Sequence, residues 1–307
     1  MRILDAFTYS GRVLRAAVLA LVLAAAFASA ADEASSVYVI PIQGDIEPST
    51  AVFVRRNAEA ALRAGAKVLV FDIDTFGGRV DSALRISSYI GSIRSAKTVA
   101  YVRSGPDSMG VSWSAGALIA FSASDIYMAP GTSIGAAAPV IMSPDGQSQG
   151  AGEKTVSAVR SQMAALAEKN GHPPLLALAM VDADVELVEL SVDGRTTLAT
   201  AEEAAALEKY RPGAVERVRT VSAKGKLLSL TAGEAERYGL SKGTVADLDA
   251  LAALLGSPGP VKELSPSGAD RLVVFITSGG VQALLILIGL VALFLEINSP
   301  GFGIPGT

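Results

Sequence analysis

Short apolar runs alternate with amphipathic stretches between residues 37 and 128. The runs Val37–Ile42 and Lys67–Ile73 are almost continuously apolar, which is typical of parallel strands covered on both faces. The stretches Thr50–Ala64 and Ser82–Ile93 carry apolar residues at helical spacing. The same patterns predict strands at Thr98–Val102 and Ile126–Met128, and a helix of small residues at Ser114–Phe121. Together they indicate an α/β fold of β-α units on a mainly parallel sheet.

The second half of the chain is less regular. The stretch Gly131–Gly152 is rich in Gly, Ala, Ser and Pro and is predicted to be a long loop, a type that is often functional or mobile. The helix that follows should end at Gly171, and Asp193-Gly194 is a strong hairpin signal. The predicted elements are a helix at Thr155–Asn170, strands at Val185–Val192, Arg195–Ala199, Val215–Val221 and Lys226–Leu230, a capping box at Thr231–Glu234, and a helix at Asp247–Leu255.

Two long apolar runs give the chain a positive mean hydropathy. Ala16–Ala28 follows several arginines and precedes the small residues of Ala28-Ser29-Ala30. This layout predicts a signal peptide cleaved after residue 30, with an uncleaved anchor as the alternative. Leu272–Leu295 carries no charge and is long enough to span a bilayer. A buried core helix is the alternative, although a Pro/Gly/Ser-rich segment precedes the run.

These features predict an exported protein whose main domain lies on the extracytoplasmic side of the membrane. The predicted organisation is a signal peptide at 1–30, an α/β domain at 31–256 with a hairpin insertion at about 185–221, a linker at 257–270, a transmembrane helix at 271–297, and at 298–307 the start of a membrane region that the chain cuts short.

The composition excludes several kinds of site. The chain has 307 residues, no Cys and one His, so thiolate nucleophiles, thiolate zinc sites and sites that need two imidazoles are excluded. Its net charge of −4 gives no basic surface for nucleic acid, and no metal or organic cofactor is implied. A nucleophilic enzyme made from this chain must use Ser, Thr or a carboxylate, with Lys, a carboxylate or the single histidine as base.

Three segments could carry such chemistry. Asp74–Arg79 places two glycines between a buried strand and a helix, where backbone N–H groups could form an oxyanion hole. Ser114, in Ser112–Gly116, enters a helix, near the positive end of the helix dipole. By position alone, an N-cap is the commoner role for such a serine.

The third segment contains Lys154, at the predicted start of a helix. A lone lysine there is ordinarily a solvated surface charge, and it could act as a base near neutral pH only in a desolvated, apolar setting. His172 is the competing base, but its place in the helix-stop turn after Asn170 favours a surface role.

Three strings together resemble the NfeD family: Asp74-Thr-Phe-Gly-Gly-Arg79, Ser112-Trp-Ser-Ala-Gly116 and Met128-Ala-Pro-Gly-Thr-Ser-Ile-Gly-Ala136. Members are membrane-bound serine proteases of the ClpP/crotonase-like superfamily, related to signal peptide peptidase A. The segments Leu230–Leu240 and Asn298–Gly306 are also similar to the late helix and membrane region of this family. The sequence departs from the family pattern at Phe76, where proline is usual, and in the loop Ser104–Ser112.

The resemblance implies a Ser-Lys dyad with Ser114 as nucleophile and Lys154 as general base, and an oxyanion hole formed by the N–H groups of Gly78 and Ala115. It also implies a ClpP/crotonase-like fold, apolar segments of stomatin-like membrane proteins as substrates, and homodimers. Two alternatives remain open: a non-catalytic membrane scaffold for a stomatin-like partner, and acyl-thioester chemistry, which the predicted export disfavours.

Overall fold

The computed structural model describes residues 37–143, 147–257, 261–277 and 279–298. The predicted signal peptide at 1–30 and residues 299–307 lie outside this part of the chain. The strands are β1 Val37–Gln43, β2 Val68–Asp74, β3 Lys97–Val102, β4 Val111–Trp113, β5 Asp125–Met128, β6 Ser133–Gly135, β7 Val140–Met142, β8 Ser148–Gly150, β9 Leu187–Val192, β10 Arg195–Thr200, β11 Val215–Ser222, β12 Ser229–Thr231 and β13 Lys262–Glu263. The helices are α1 Pro48–Arg63, α2 Val80–Ser92, α3 Ala115–Ala120, α4 Glu153–Asn170, α5 Pro174–Val181, α6 Ala201–Tyr210, α7 Ala232–Arg237, α8 Leu248–Leu254, α9 Gly268–Thr277 and α10 Gly279–Asn298.

The central sheet has five strands in the order β13-β1-β2-β3-β5, and every pairing within it is parallel. Along β1, Val37 and Val39 enter one apolar cluster, whereas Ile40 and Ile42 enter the larger cluster on the other face. Because apolar clusters cover both faces of the sheet, the strands are continuous apolar runs in the sequence. The predicted fold class, β-α units on a mainly parallel sheet, is confirmed.

A smaller sheet of order β12-β6-β4 lies beside the central one. Strands β4 and β6 are parallel, and β12 is antiparallel to β6. A parallel bridge between Thr75 and Ser112 joins the end of β2 to β4. The bridge brings two of the candidate segments together, although they are distant in sequence.

The predicted hairpin around Asp193-Gly194 is confirmed by the antiparallel pairing of β9 with β10. Both turn residues have positive φ, 50° for Asp193 and 77° for Gly194, the combination that a type I′ turn requires. Strand β11 pairs with the other side of β9 and completes a three-stranded sheet. The sequence patterns missed α6, which packs against this sheet and begins at a capping box of Thr200 and Glu203.

Three connections contain structure that the sequence patterns did not predict. Gly131–Gly152 is not a plain loop, because β6, β7 and β8 lie within it. These strands have three residues each, too few for a period to appear in the sequence. The strand predicted at Lys226–Leu230 is reduced to β12 at Ser229–Thr231. Part of the predicted linker at 257–270 forms β13, which pairs with β1, and the Leu264 N–H donates to the Val39 carbonyl at 2.8 Å.

Within the predicted transmembrane helix at 271–297, the structure describes α9 as far as Thr277 and α10 from Gly279 onward. Helix α10, with 20 residues, is long and apolar enough to cross a membrane, and none of its residues is buried. This exposure contradicts the core-helix alternative for α10. An ion pair of 2.6 Å between Arg56 and Asp270 joins α9 to α1 of the main domain.

Candidate active site

Two backbone hydrogen bonds set the loop after β2 against β4. The Thr75 N–H donates to the Val111 carbonyl at 2.9 Å, and the Trp113 N–H donates to the Thr75 carbonyl at 3.1 Å. In addition, the buried Asp74 carboxylate accepts the Met109 N–H at 3.0 Å and fixes the loop before β4. These contacts place the glycine pair next to the predicted nucleophile.

Ser114 occupies a sharp turn between β4 and α3. Its φ of 52° and ψ of −115° lie outside the ordinary regions for a residue with a β-carbon, a strain that costs about 1–3 kcal/mol. The Ser114 N–H donates to the Gly135 carbonyl at 3.0 Å and helps to hold this conformation. Ser114 occupies the N-cap position of α3, but its side chain makes no capping hydrogen bond, which contradicts a capping role for its hydroxyl. A strained strand-to-helix turn of this kind exposes the nucleophilic serine of α/β-hydrolases.

Ser112, two residues earlier, is the other serine of this segment. It is fully buried, and its Oγ has no hydrogen-bond partner in the described part of the chain. A Cβ added at Gly116 would lie 3.0 Å from this oxygen. Ser112 is therefore enclosed beneath α3, whereas Ser114 is half-buried.

The two glycines after Thr75 approach neighbouring atoms too closely for any side chain. A Cβ on Gly77 would lie 2.7 Å from the Ser114 Cβ, and one on Gly78 would lie 2.5 Å from the Ile46 nitrogen. Their φ angles, 124° and 150°, are also in the region that favours glycine. The pair therefore brings bare backbone against the Ser114 turn.

The N–H of Gly78 is oriented by its neighbours. The Ile46 N–H donates to the Gly77 carbonyl at 2.9 Å, and the Arg79 N–H donates to the Ile46 carbonyl at 2.8 Å. In this parallel bridge, the N–H of Gly78 itself points away from Ile46. Within the described residues, neither this N–H nor that of Ala115, the first residue of α3, donates a hydrogen bond. The two groups have the character of oxyanion-hole donors.

Thr75 holds the turn, a role that sequence reasoning missed. Its buried Oγ1 accepts the Gly77 N–H at 2.9 Å and lies 2.5 Å from the Gly44 carbonyl, to which it can donate. The Gly77 N–H is thereby occupied, whereas the Gly78 N–H donates no hydrogen bond within the described residues. The signal in the sequence that could have indicated this role is a hydroxyl residue placed between a buried strand and a glycine pair.

Lys154 lies in the first turn of α4 and is exposed to solvent. In the residues that the structure describes, it forms no hydrogen bond or ion pair with Ser114 or any other group. Glu153 beside it contacts Arg160 at 3.3 Å. The structure thus brings together Ser114, Ala115 and Gly78 but does not hydrogen-bond Lys154 to them.

His172 is not the surface residue that was predicted. It is only 4% exposed, its Nε2 lies 2.8 Å from the Ala123 carbonyl, and its ring meets the Phe121 ring edge-on. Burial lowers the pKa of the imidazole below 6.5. The turn after Asn170 is covered by the chain around residue 121, a long-range contact that the local pattern does not contain. Because its ring is enclosed, His172 is a core residue.

The family profile described as NfeD1b, N-terminal domain, matches residues 36–223. The chain belongs to the NfeD family. It is 33% identical over 276 residues to the membrane protein NfeD1b of Bacillus subtilis, and 29% identical over 273 residues to the membrane-bound protease PH1510 of Pyrococcus horikoshii. These alignments cover 90% and 88% of this chain but only 54% and 55% of the relatives, so the chain spans about half their length.

Solved structures confirm the fold. The 1510-N membrane-bound stomatin-specific protease, as a lysine-to-alanine mutant in complex with a substrate peptide, matches at 24% identity with a TM-score of 0.57, covering 80% of this chain and 99% of that one. A serine-to-alanine mutant of the same protease matches at 24% identity with a TM-score of 0.55, covering 76% and 99%. The family profile and the relative from Bacillus subtilis confirm the family resemblance stated from the sequence motifs.

Proposed function

We propose that this chain is a membrane-anchored serine endopeptidase with Ser114 as nucleophile and Lys154 as general base. The observation that carries the proposal is the strained Ser114 turn, with the Gly77 backbone against it and, on the adjoining residues, the N–H groups of Gly78 and Ala115, which are unpaired within the described part of the chain. The relatives add support, since one is named a membrane-bound protease and its solved variants replace a serine and a lysine.

In the proposed reaction, the Ser114 Oγ attacks the carbonyl carbon of a peptide while neutral Lys154 takes the hydroxyl proton. The carbonyl oxygen becomes an oxyanion that accepts hydrogen bonds from Gly78 and Ala115. When the tetrahedral intermediate collapses, the C–N bond breaks and Lys154 returns the proton to the leaving amine. Lys154 then deprotonates a water that attacks the acyl-enzyme ester; the C–O bond to Ser114 breaks, and Lys154 returns the proton to the Ser114 Oγ. This scheme requires neither a thiol nor an imidazole.

The dyad requires that Lys154 reach Ser114 when substrate is bound, because the two residues share no hydrogen bond in this structure. Chain continuity favours such an approach. The Ser114 N–H is bound to Gly135, and the Ala151 N–H donates to the Pro139 carbonyl at 3.0 Å. Pro139 follows Gly135 by four residues and Lys154 follows Ala151 by three, so a short path of chain connects Lys154 to the Ser114 turn.

The expected substrates are apolar segments of stomatin-like membrane proteins, since a relative is described as stomatin-specific. The apolar helix α10, in which no residue is buried, supports a membrane anchor. We place the protease domain on the extracytoplasmic side, on the strength of the predicted signal peptide, and we expect the chain to form homodimers.

The test is cleavage of apolar peptides by the full chain in detergent, compared with Ser114→Ala and Lys154→Ala. Exposed Ser95 and Lys224 provide matched controls as Ser95→Ala and Lys224→Ala. We expect kcat/KM to fall about 10²–10⁴-fold for Lys154→Ala and further for Ser114→Ala, with both controls unchanged. Equal cleavage by all variants would refute the dyad. Tight binding of a stomatin-like partner without any cleavage would favour the scaffold alternative.

A further inference from the structure

Two aromatic side chains stand together beside the Ser114 turn. The rings of Phe76 and Trp113 have centroids 5.5 Å apart and are tilted by 51°. Phe76 immediately precedes the glycine pair, and Trp113 immediately precedes Ser114. The pair therefore joins the two segments that form the proposed oxyanion hole.

Trp113 is held at both its backbone and its ring. Its N–H donates to the Thr75 carbonyl at 3.1 Å, and its indole Nε1–H donates to the Ser133 Oγ at 2.9 Å. The half-buried indole is thus held in a fixed position. An aromatic ring fixed in this way offers apolar area at little cost in conformational entropy.

Phe76, in contrast, leaves 56% of its surface exposed. A single exposed apolar residue needs no explanation, but this one lies against a fixed indole at the nucleophile. A Cβ built on Gly77, the next residue, would lie 3.0 Å from the Ser114 Oγ. The Phe76 ring therefore adjoins backbone that contacts the proposed nucleophile, where the side chains that flank a scissile peptide bond would lie.

We propose that Phe76 and Trp113 form an aromatic ledge that selects an apolar side chain next to the scissile bond. Burying such a side chain on the ledge covers the exposed face of Phe76, whereas a charged or amide side chain would lose hydration there without a partner. This proposal rests on the proposed function, because it names a subsite of the same reaction.

Trp113 is the only tryptophan of the chain, so its fluorescence reports directly on the ledge. In the full Ser114→Ala chain in lipid nanodiscs, emission is followed during titration with two peptides that differ only in a Leu-to-Gln change beside the cut bond. We expect the Leu peptide alone to shift the emission. Adding Phe76→Ala should weaken its apparent affinity about tenfold. Phe76→Leu should restore most of the affinity, and exposed Tyr210→Ala should leave it unchanged.

Calorimetry of the same peptides supplies the deciding comparison. Equal affinity of the Leu peptide for the chains with and without Phe76→Ala, together with unshifted Trp113 emission, would overturn the ledge. Binding in this assay does not need catalysis, so the two proposals fail separately. If the ledge responds but the chain with Ser114 intact cleaves nothing, the proposed function fails. If cleavage depends on Ser114 but neither peptide affinity nor Trp113 emission responds to the ledge residues, only the ledge proposal is wrong.

Discussion

The most strained residue of the proposed site is its nucleophile. Ser114, at φ 52° and ψ −115°, is expected to destabilise the fold, and Ser114→Gly should relieve this strain by removing the β-carbon. The larger backbone entropy of glycine in the unfolded state offsets part of the gain. We therefore expect Ser114→Gly to exceed Ser114→Ala in free energy of unfolding by about 1 kcal/mol. Both variants lack the hydroxyl, so urea unfolding followed by Trp113 fluorescence compares them directly. If Ser114→Gly were less stable than Ser114→Ala, the inference that Ser114 is strained would be wrong.

The buried His172 should make stability depend on pH. Its pKa in the folded chain is lowered by burial, so between that value and 6.5 the unfolded chain binds more protons. The stability from the neutral imidazole is therefore complete above about pH 6.5 and is lost as the pH falls toward the folded value. With one His in the chain and no affinity tag, NMR should show a single imidazole titration with a midpoint below 6.5.

The matched variant is His172→Gln, which can still donate a hydrogen bond but does not titrate in this range. Its urea unfolding free energy should vary less between pH 7 and pH 5 than that of the native chain. An NMR midpoint at or above 6.5, or identical pH dependence of the two chains, would be inconsistent with a buried neutral imidazole.

At the scale of elements, the close approach of the Gly78 turn to Ile46 fixes the site. A Cβ at Gly78 would lie 2.5 Å from the Ile46 nitrogen, whereas one at Gly233 in α7 meets nothing within 4 Å. We expect Gly78→Ala to cost about 2–4 kcal/mol of stability, and Gly233→Ala to add about 0.5–1 kcal/mol as an ordinary helix substitution. Urea unfolding of both variants checks this. Equal stabilities would mean that the turn can relax.

At the scale of the whole molecule, we expect α10 to anchor the domain to a membrane. The chain has no cysteine, so single introduced thiols can be labelled selectively. In lipid vesicles, Leu287→Cys in α10 should resist a membrane-impermeant maleimide until detergent is added, because the bilayer core excludes the reagent and disfavours the thiolate. Leu254→Cys, on α8 and 60% exposed, should react at once. Equal labelling would contradict a spanning helix.

The same Leu254→Cys chain tests the side of the membrane. In intact spheroplasts, the impermeant reagent should label it if the domain lies outside the cytoplasm. Labelling only after lysis would overturn that placement.

The fold was predictable in those strands and helices that are long enough for the spacing of apolar residues to repeat. Strands β1 and β2 and helices α1 and α4 have long enough patterns, and the Asp193-Gly194 turn has a specific backbone requirement. Elements of three residues, such as β4 and β6, were missed because their pairing is decided by distant strands. The candidate site divides in the same way. Ser114 and Gly78 carry recognisable motifs, whereas the anchoring role of Thr75 depends on a contact with Gly44, 31 residues away.

The sequence by itself determined the permitted chemistry and the family. Without cysteine and with one histidine, a nucleophilic site is limited to few residue types, and the motifs are contiguous strings that need no structure to be recognised. Only the tertiary structure decided which groups meet. The Thr75–Ser112 bridge sets the glycine pair beside Ser114, the chain around Phe121 buries His172, and Lys154 is exposed to solvent. The physical reason is that local sequence fixes backbone preference and side-chain type, whereas burial and proximity depend on residues far along the chain.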